Sequence, residues 1–235
     1  MFFANNIVGK GFLAQNLNKI KKDILNSGYI IYAAGISNSK TNAKKELNRE
    51  FDSIKSFSRK IKNEKFIYIS TADILDNLKK KNKYVANKVK IEKFVKNNFK
   101  HFIIIRLPQI IGKSKNKKTL VNFFYTNIKN KKKFILFKNI KRNILDIKDV
   151  LIMIKIILKN KIKNKIIVLS NKYFVRPLEI VKIFEKKLNK KAVFTVKNSP
   201  KQVWRLNYKR NLRYTKPLNL RFDRNYLLKA INKYY

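Results

Sequence analysis

Ile7-Val8-Gly9-Lys10-Gly11-Phe12-Leu13-Ala14 is the stretch on which the fold turns. It begins in an apolar run, Phe2 to Val8, that reads as a strand interrupted by Asn5 and Asn6. It leads into Phe12 to Ile24, where Leu13, Leu17, Ile20 and Ile24 recur at helical spacing. G-x-G-x-x-A between a strand and a helix is the dinucleotide-binding fingerprint. Gly9 makes the turn, Gly11 lets backbone approach a pyrophosphate, Ala14 allows close helix-to-strand packing, and N–H groups at the helix start face the phosphates. The chain has only 5 Gly, so two at this spacing carry weight. A tight strand-to-helix turn that holds no ligand uses the same residues.

The fingerprint also requires an Asp or Glu about 20 residues further on, at the end of a second strand, to hold the adenosine ribose. The next strand, Tyr29 to Ala33, instead ends in Ala34-Gly35-Ile36-Ser37-Asn38-Ser39, and Asp23 lies before it. Either polar groups such as Ser37, Asn38 or Ser39 hold the ribose, or cofactor binding is weak or lost.

Strands and helices then alternate. Thr41 to Ile61 is a charged helix with Leu47, Phe51, Ile54 and Phe57 as its apolar stripe, and Phe66 to Ile69 is a strand ending in Ser70-Thr71-Ala72-Asp73. Hydroxyls at the carboxyl end of a parallel strand stand where α/β folds bind ligands, and they equally serve to cap the next turn. Asn82 to Phe99 is a helix with Val85, Val89, Phe94 and Val95 for packing. His101 to Arg106 is a buried strand, followed by a loop, Leu107 to Gly112. After a basic loop, Lys113 to Lys118, come a helix Thr119 to Ile128 and a strand Phe134 to Phe137. Arg142 to Val150 introduces a helix that runs to Leu158, with Asp146 or Asp149 capping its start. Ile166 to Leu169 and Ala192 to Val196 read as strands around a helix Pro177 to Leu188. A turn at Pro217 precedes a last helix with Leu227, Leu228 and Ile231 facing inward. With right-handed crossovers this order implies an α/β, Rossmann-like, doubly wound and mostly parallel sheet.

Composition bounds the chemistry. The 235 residues and 45% hydrophobic content suffice for a buried core. The net charge of +45 is spread over every segment, with Lys far above Arg and with Asn and Ile abundant, as coding in an AT-rich genome produces. A basic surface that attracts phosphate-bearing ligands or nucleic acid is the other reading, with nucleic-acid binding the weaker candidate. The absence of Cys and the single histidine, His101, exclude thiolate chemistry and a metal site built on His and Cys. No apolar stretch approaches the roughly 20 residues that span a bilayer, and the start lacks the charged region of a signal peptide, so a cytoplasmic protein without membrane contact is expected.

Tyr84 and Lys88 lie one helical turn apart, which places an ammonium near a phenol and makes a possible proton-transfer device. Taken alone the pair means little. About two such pairs arise by chance among 11 Tyr in so lysine-rich a chain, and Tyr125/Lys129 is the second.

The order of these pieces resembles the extended short-chain dehydrogenase/reductases, the NAD-dependent epimerase/dehydratase family that acts on nucleotide sugars. The matching stretches are Ile7 to Leu17, Tyr29 to Ser37, Phe66 to Leu75, Tyr84 to Val95, Ile103 to Gly112 and Arg142 to Val150, with Val168 to Leu188 and Asn211 to Tyr235 similar to a small C-terminal substrate subdomain. Colinearity favours Tyr84/Lys88 over its twin. The resemblance implies a Rossmann-like dinucleotide-binding domain over residues 1–150 and a mixed region, 151–235, that completes the sheet and forms a small α/β substrate-binding subdomain. It implies NAD or NADP as cofactor, held by Gly9, Gly11, Phe12, Leu13, Ala14, Ala33, Ala34, Gly35, Ser70 and Lys88. Thr71, Tyr84 and Lys88 are then catalytic: Thr71 binds the reacting oxygen, Tyr84 is the acid/base, and Lys88 holds the nicotinamide ribose and lowers the tyrosine pKa. Thr71, Tyr84, Pro108 and Arg142 are implied to meet a nucleotide-linked sugar, and a homodimer through the Tyr84 helix and the Thr41 to Ile61 helix is implied as well.

The chain departs from the family in passing from the glycine helix almost directly to Tyr29 to Ala33. The family has a second strand, a helix and a third strand between them, so strand one is expected near a sheet edge. Asp73 and Leu75 also replace a small polar and an aromatic residue. Two functions follow: an NAD(P)-dependent epimerase, dehydratase or reductase, thus an isomerase or oxidoreductase, or a non-catalytic Rossmann-like module binding a nucleotide sugar or a protein.

Overall fold

The computed structural model describes residues 6–39, 41–61, 63–114, 116–117, 119–160, 162–211, 214 and 222–235. Pro217 and the Phe2 to Asn5 part of the first expected strand fall outside them.

Five parallel strands form the main sheet: β1 (Ile7–Val8), β2 (Tyr29–Tyr32), β3 (Lys65–Thr71), β4 (His101–Leu107) and β8 (Lys165–Val168), in the spatial order β1-β2-β3-β4-β8. Side chains alternate across such a sheet, and both faces are covered, so the strands read as continuous apolar runs. On one face Ile31, Ile67, Ile103 and Ile105 pack against α1 (Phe12–Leu17), α2 (Lys21–Ser27) and α6 (Ile147–Lys159) through Leu17, Ile24, Val150 and Ile154. On the other, Ile30, Tyr32, Phe66, Tyr68 and Ile104 pack against α3 (Lys44–Lys60) and α4 (Lys83–Asn98) through Ile54, Phe57, Ile91 and Val95. The fold is an α/β, Rossmann-like sheet with helices on both faces.

The first crossover breaks the expected pattern. The connections β1 to β2, β2 to β3 and β3 to β4 all step in one direction along the sheet, yet α1 and α2 lie on the face opposite to α3 and α4. The first connection therefore has the opposite hand to the next two, and its helices share their face with α6, which precedes β8. The chain passes from α2 back to β2, and β1 stands at the sheet edge among the described residues.

A second core is built from residues on both sides of position 150. Val121 and Phe124 of α5 (Leu120–Lys129) and Phe134 and Leu136 of β6 (Phe134–Lys138) meet Ile180 and Phe184 of α7 (Pro177–Leu188) and Leu227 and Ile231 of the closing helix (Tyr226–Tyr234). The closing helix is tied to the start of α6: the Tyr234 phenol donates to Asp146 Oδ1 at 2.6 Å and Lys233 Nζ stands 2.5 Å from Asp146 Oδ2. Asp146 also caps α6 by accepting the Lys148 N–H at 2.8 Å, as expected.

Several local expectations need correction. The helix expected over Phe12 to Ile24 is broken by a 3₁₀ turn, Asn18–Ile20, and continues to Ser27, where Gly28 ends it at φ +69°. Leu107 to Gly112 is not all loop, and Arg142 to Asp146 is not a helical lead-in. Gln109–Ile111 (β5) and Arg142–Asp146 (β7) pair in parallel, and β7 pairs antiparallel with Phe174–Val175 (β9). Such short segments become strands through distant partners, which periodicity does not report. The strand expected at Ala192 to Val196 is Phe194–Asn198 (β10), parallel to β6. Leu228 and Val89 are exposed. On α4 the inward positions are taken by Tyr84, Val85, Lys88, Ile91, Glu92 and Val95, which turns Val89 outward.

Candidate active site

A cleft of about 2020 Å³ opens at the carboxyl ends of β1 to β4. Single small-molecule sites occupy roughly 300–1,000 Å³, so this one has room for two ligands side by side. The residues expected at a site line it except Ala14, which is buried, and Asn38.

On the β1 side, Gly9 has φ +137°, and a Cβ there would come within 2.7 Å of the Ala33 carbonyl oxygen. The turn thus depends on glycine to lie against β2. Gly11, by contrast, would place a Cβ in open space, with nothing within 4 Å. It precedes α1 in an extended conformation, so the backbone there is bare toward the cleft. This surface fits a phosphate group. Phe12 turns away to pack on Gly112, where a Cβ would meet its ring at 2.6 Å, and Leu13 packs on the first core.

The opposite wall is made by β3 and α4. Asn82 starts α4 by accepting the Val85 N–H at 3.1 Å, which sets Tyr84 in the first turn, facing inward. The Thr71 hydroxyl accepts the Asp73 N–H at 3.2 Å and hydrogen-bonds the Tyr84 phenol. Burial, followed by the charges of Asp73 and Glu50, pushes the phenol well above the usual tyrosine range, while the Thr71 hydrogen bond acts the other way. Lys88 Nζ lies 5.6 Å from the centre of the Tyr84 ring and 2.6 Å from Glu50 Oε1, with side-chain exposures of 3% and 0% for the ion pair. Glu50 also accepts the Tyr68 phenol at 2.9 Å and the Ile36 N–H at 3.1 Å. Lys88 was expected to lower the tyrosine pKa; here its charge is matched by Glu50, and the phenol is pushed up.

Other expected residues have partners that define what they can do. The Ser70 hydroxyl donates to Glu92 Oε1 at 2.6 Å, and Glu92 is held by Arg106 through bonds of 2.9 and 2.6 Å. Arg142 Nη1 stands 3.5 Å from Asp76 Oδ2. Burial lowers the pKa of this guanidinium while Asp73 and Asp76 raise it, and burial raises that of the Asp73 carboxyl. Pro108, directly after β4, lines the cleft, and Ile135 and Phe137 of β6 form its far side. Tyr125, the twin tyrosine, packs instead on Phe184 and Tyr235 in the second core.

Sequence reasoning missed three acids at this site: Glu50, Asp73 as a neighbour of Tyr84, and Asp76. The signal for Glu50 was present. It lies three residues after Leu47 and four before Ile54, inside the apolar stripe of α3, where a carboxylate has no business without a buried partner.

No protein-family model and no curated protein sequence matches the chain. Solved structures do match. RMD from Pseudomonas aeruginosa complexed with NADPH is similar at a TM-score of 0.69 and 13% identity, over 89% of this chain and 91% of that one. UDP-glucuronic acid 4-epimerase from Bacillus cereus, in complex with UDP-glucuronic acid and NAD, is similar at 0.66 and 17%, over 89% and 83%. UDP-N-acetylglucosamine 4-epimerase from Bacillus cereus is similar at 0.65 and 16%, over 96% and 93%. At these identities the likeness is one of fold.

Proposed function

We propose that the chain is an NAD(P)-dependent enzyme of the epimerase, dehydratase or reductase type, acting on a nucleotide-linked sugar. The observation that carries this reading is the convergence of Thr71, Tyr84 and Lys88 on one wall of a cleft whose other wall is the Gly9 to Gly11 turn. The similar folds that hold NADPH, or NAD with UDP-glucuronic acid, support it. Gly9, Gly11 and the backbone of Phe12 and Leu13 would hold the cofactor's pyrophosphate, with Ala33 to Gly35 beneath the dinucleotide and Lys88 at the nicotinamide ribose. A bound nicotinamide supplies hydride acceptance and donation. Tyr84 takes the proton of the sugar hydroxyl in oxidation and returns it in reduction, and the Thr71 hydroxyl holds the reacting oxygen beside it. Arg142, paired with Asp76, orients that wall of the substrate side. Among the described residues no helix is long and apolar enough to cross a membrane.

Titration with NADH and NADPH, followed by nicotinamide fluorescence, tests the reading. Saturable binding of at least one is expected. Absence of binding at millimolar cofactor would leave the cleft to a ligand of another kind and sink the catalytic reading.

A further inference from the structure

Acidic residues are scarce in this protein, 13 against 58 Lys and Arg, yet Glu50, Asp73, Asp76 and Glu92 are buried around one cleft. Its rim carries the opposite charge, with Lys10, Arg49, Lys79, Lys113 and Lys133 among the lining residues. Glu50 and Asp76 are the most buried of these acids, each 1% exposed. Glu50 does not line the cleft, but it lies directly under a backbone that does. A Cβ on Gly35 would come within 2.8 Å of Glu50 Oε1 and 2.7 Å of Lys88 Nζ, so the ion pair is pressed against the Ala33 to Gly35 turn. Burying a carboxylate is unfavourable unless it is fully satisfied, and this one accepts from Lys88, Tyr68 and the Ile36 N–H.

We propose that Glu50 is a positioning residue that cancels the charge of Lys88 beneath the Gly35 turn, and so allows the site to accept the oxidised, cationic form of a nicotinamide cofactor as readily as the neutral reduced form. The inference rests on the functional reading above. Without Glu50, the ammonium that orients the cofactor would stand uncompensated in a cleft already rimmed with lysines. A ring that carries a positive charge only when oxidised would then be held poorly in that state. Asp73, on the turn after β3, also faces Tyr84, but its charge is shared with Arg142 and Lys79. Glu50 is the carboxylate bonded to Lys88 itself. An enzyme that oxidises and then re-reduces its substrate needs both cofactor forms to stay bound, which gives the charge balance a purpose.

The test is the ratio of the dissociation constants of NAD and NADH, and of NADP and NADPH, with the reduced forms read by fluorescence and the oxidised forms by competition. Glu50→Gln should weaken the oxidised form relative to the reduced on the order of tenfold, the effect of one charge across roughly a nanometre at an effective dielectric near 20. Glu50→Asp, which keeps the charge, should retain the wild-type ratio. If Glu50→Gln does not fold, Lys88→Met is compared with the Lys88→Met/Glu50→Gln double variant. The single variant should then favour the oxidised form by a similar factor. Uniform losses of affinity cancel in the ratio, so a merely structural role leaves it unmoved, and an unchanged ratio in whichever comparison folds overturns the proposal. Failure of the wild-type protein to bind any of the four overturns the functional reading and this inference with it.

Discussion

Arg142 Nη1 stands 3.5 Å from Asp76 Oδ2, and the same carboxylate oxygen accepts Gln202 Nε2 at 2.7 Å while Asp76 Oδ1 takes the Leu78 N–H at 3.1 Å. Asp76 also bridges Trp204 through its backbone, so one acid joins the end of β3, the start of β7 and the segment after β10. Asp76→Asn keeps the shape but withdraws the charge that Arg142 depends on. A loss of about 2–4 kcal/mol in urea unfolding is expected. The half-exposed Asp23–Lys155 pair, at 3.2 Å, is the control: Asp23→Asn should cost less than about 1 kcal/mol. Equal losses would show that Asp76 acts as an ordinary surface charge.

Tyr84→Phe removes the proposed acid/base and leaves the ring that packs with Ile36 and Val85. Turnover should fall by about 10²–10⁴-fold, with the circular dichroism spectrum and NADH affinity retained. Wild-type turnover in the folded variant would rule out the assigned role.

The charges around the phenol predict the direction of two pH effects. Asp73 raises the pKa of Tyr84 and Thr71 lowers it, so Asp73→Asn should move the rising limb of the oxidation rate, where Tyr84 loses its proton, to lower pH and Thr71→Val should move it higher. Shifts in the same direction would contradict the geometry.

Asp73 also leaves a signature in stability. Its carboxyl is raised in the folded state by burial, so the folded protein holds that proton more tightly than the unfolded chain does. The contribution is favourable at low pH and is lost as pH rises through the folded value. Asp73→Asn should therefore gain on wild type at neutral pH, with the gap closing toward about pH 4. Unfolding curves at several pH values measure it, and a gap that widens in acid would reverse the sign.

Gly9 and Gly11 should respond differently to alanine. Gly9→Ala meets the Ala33 carbonyl at 2.7 Å from a backbone with φ +137°, and about 1–3 kcal/mol of stability should be lost. Gly11→Ala meets nothing, so the melting temperature should hold while NADH affinity falls about tenfold. Unaltered affinity would remove Gly11 from the cofactor surface.

The main sheet was legible because its strands are buried on both faces: Phe66-Ile67-Tyr68-Ile69 and Ile103-Ile104-Ile105 can hardly be anything else. The Gly9 turn was legible because a positive φ and a close approach demand glycine. Arg142 to Asp146 was not, since two charged residues dilute its pattern and its partner β5 is far away in sequence. The Tyr84 site could be placed but not its electrostatics. Lys88 meets Glu50 from another helix, 38 residues distant, and local spacing carries no trace of that pairing. The hand of the first crossover was illegible for a different reason: it depends on strands the chain does not have between α2 and β2.

At the sheet edge β1 pairs with β2, and the Ile31 N–H donates to Asn6 O at 2.8 Å and the Ala33 N–H to Val8 O at 2.7 Å. The glycine turn hangs from this short edge strand, so whatever occupies the turn and the docking of the strand are thermodynamically linked. Each molecule captured at Gly11 is also a clamp on β1. The hydrogen-exchange rates of the Ile31 and Ala33 amides are thus a built-in gauge of occupancy, readable without any turnover at all.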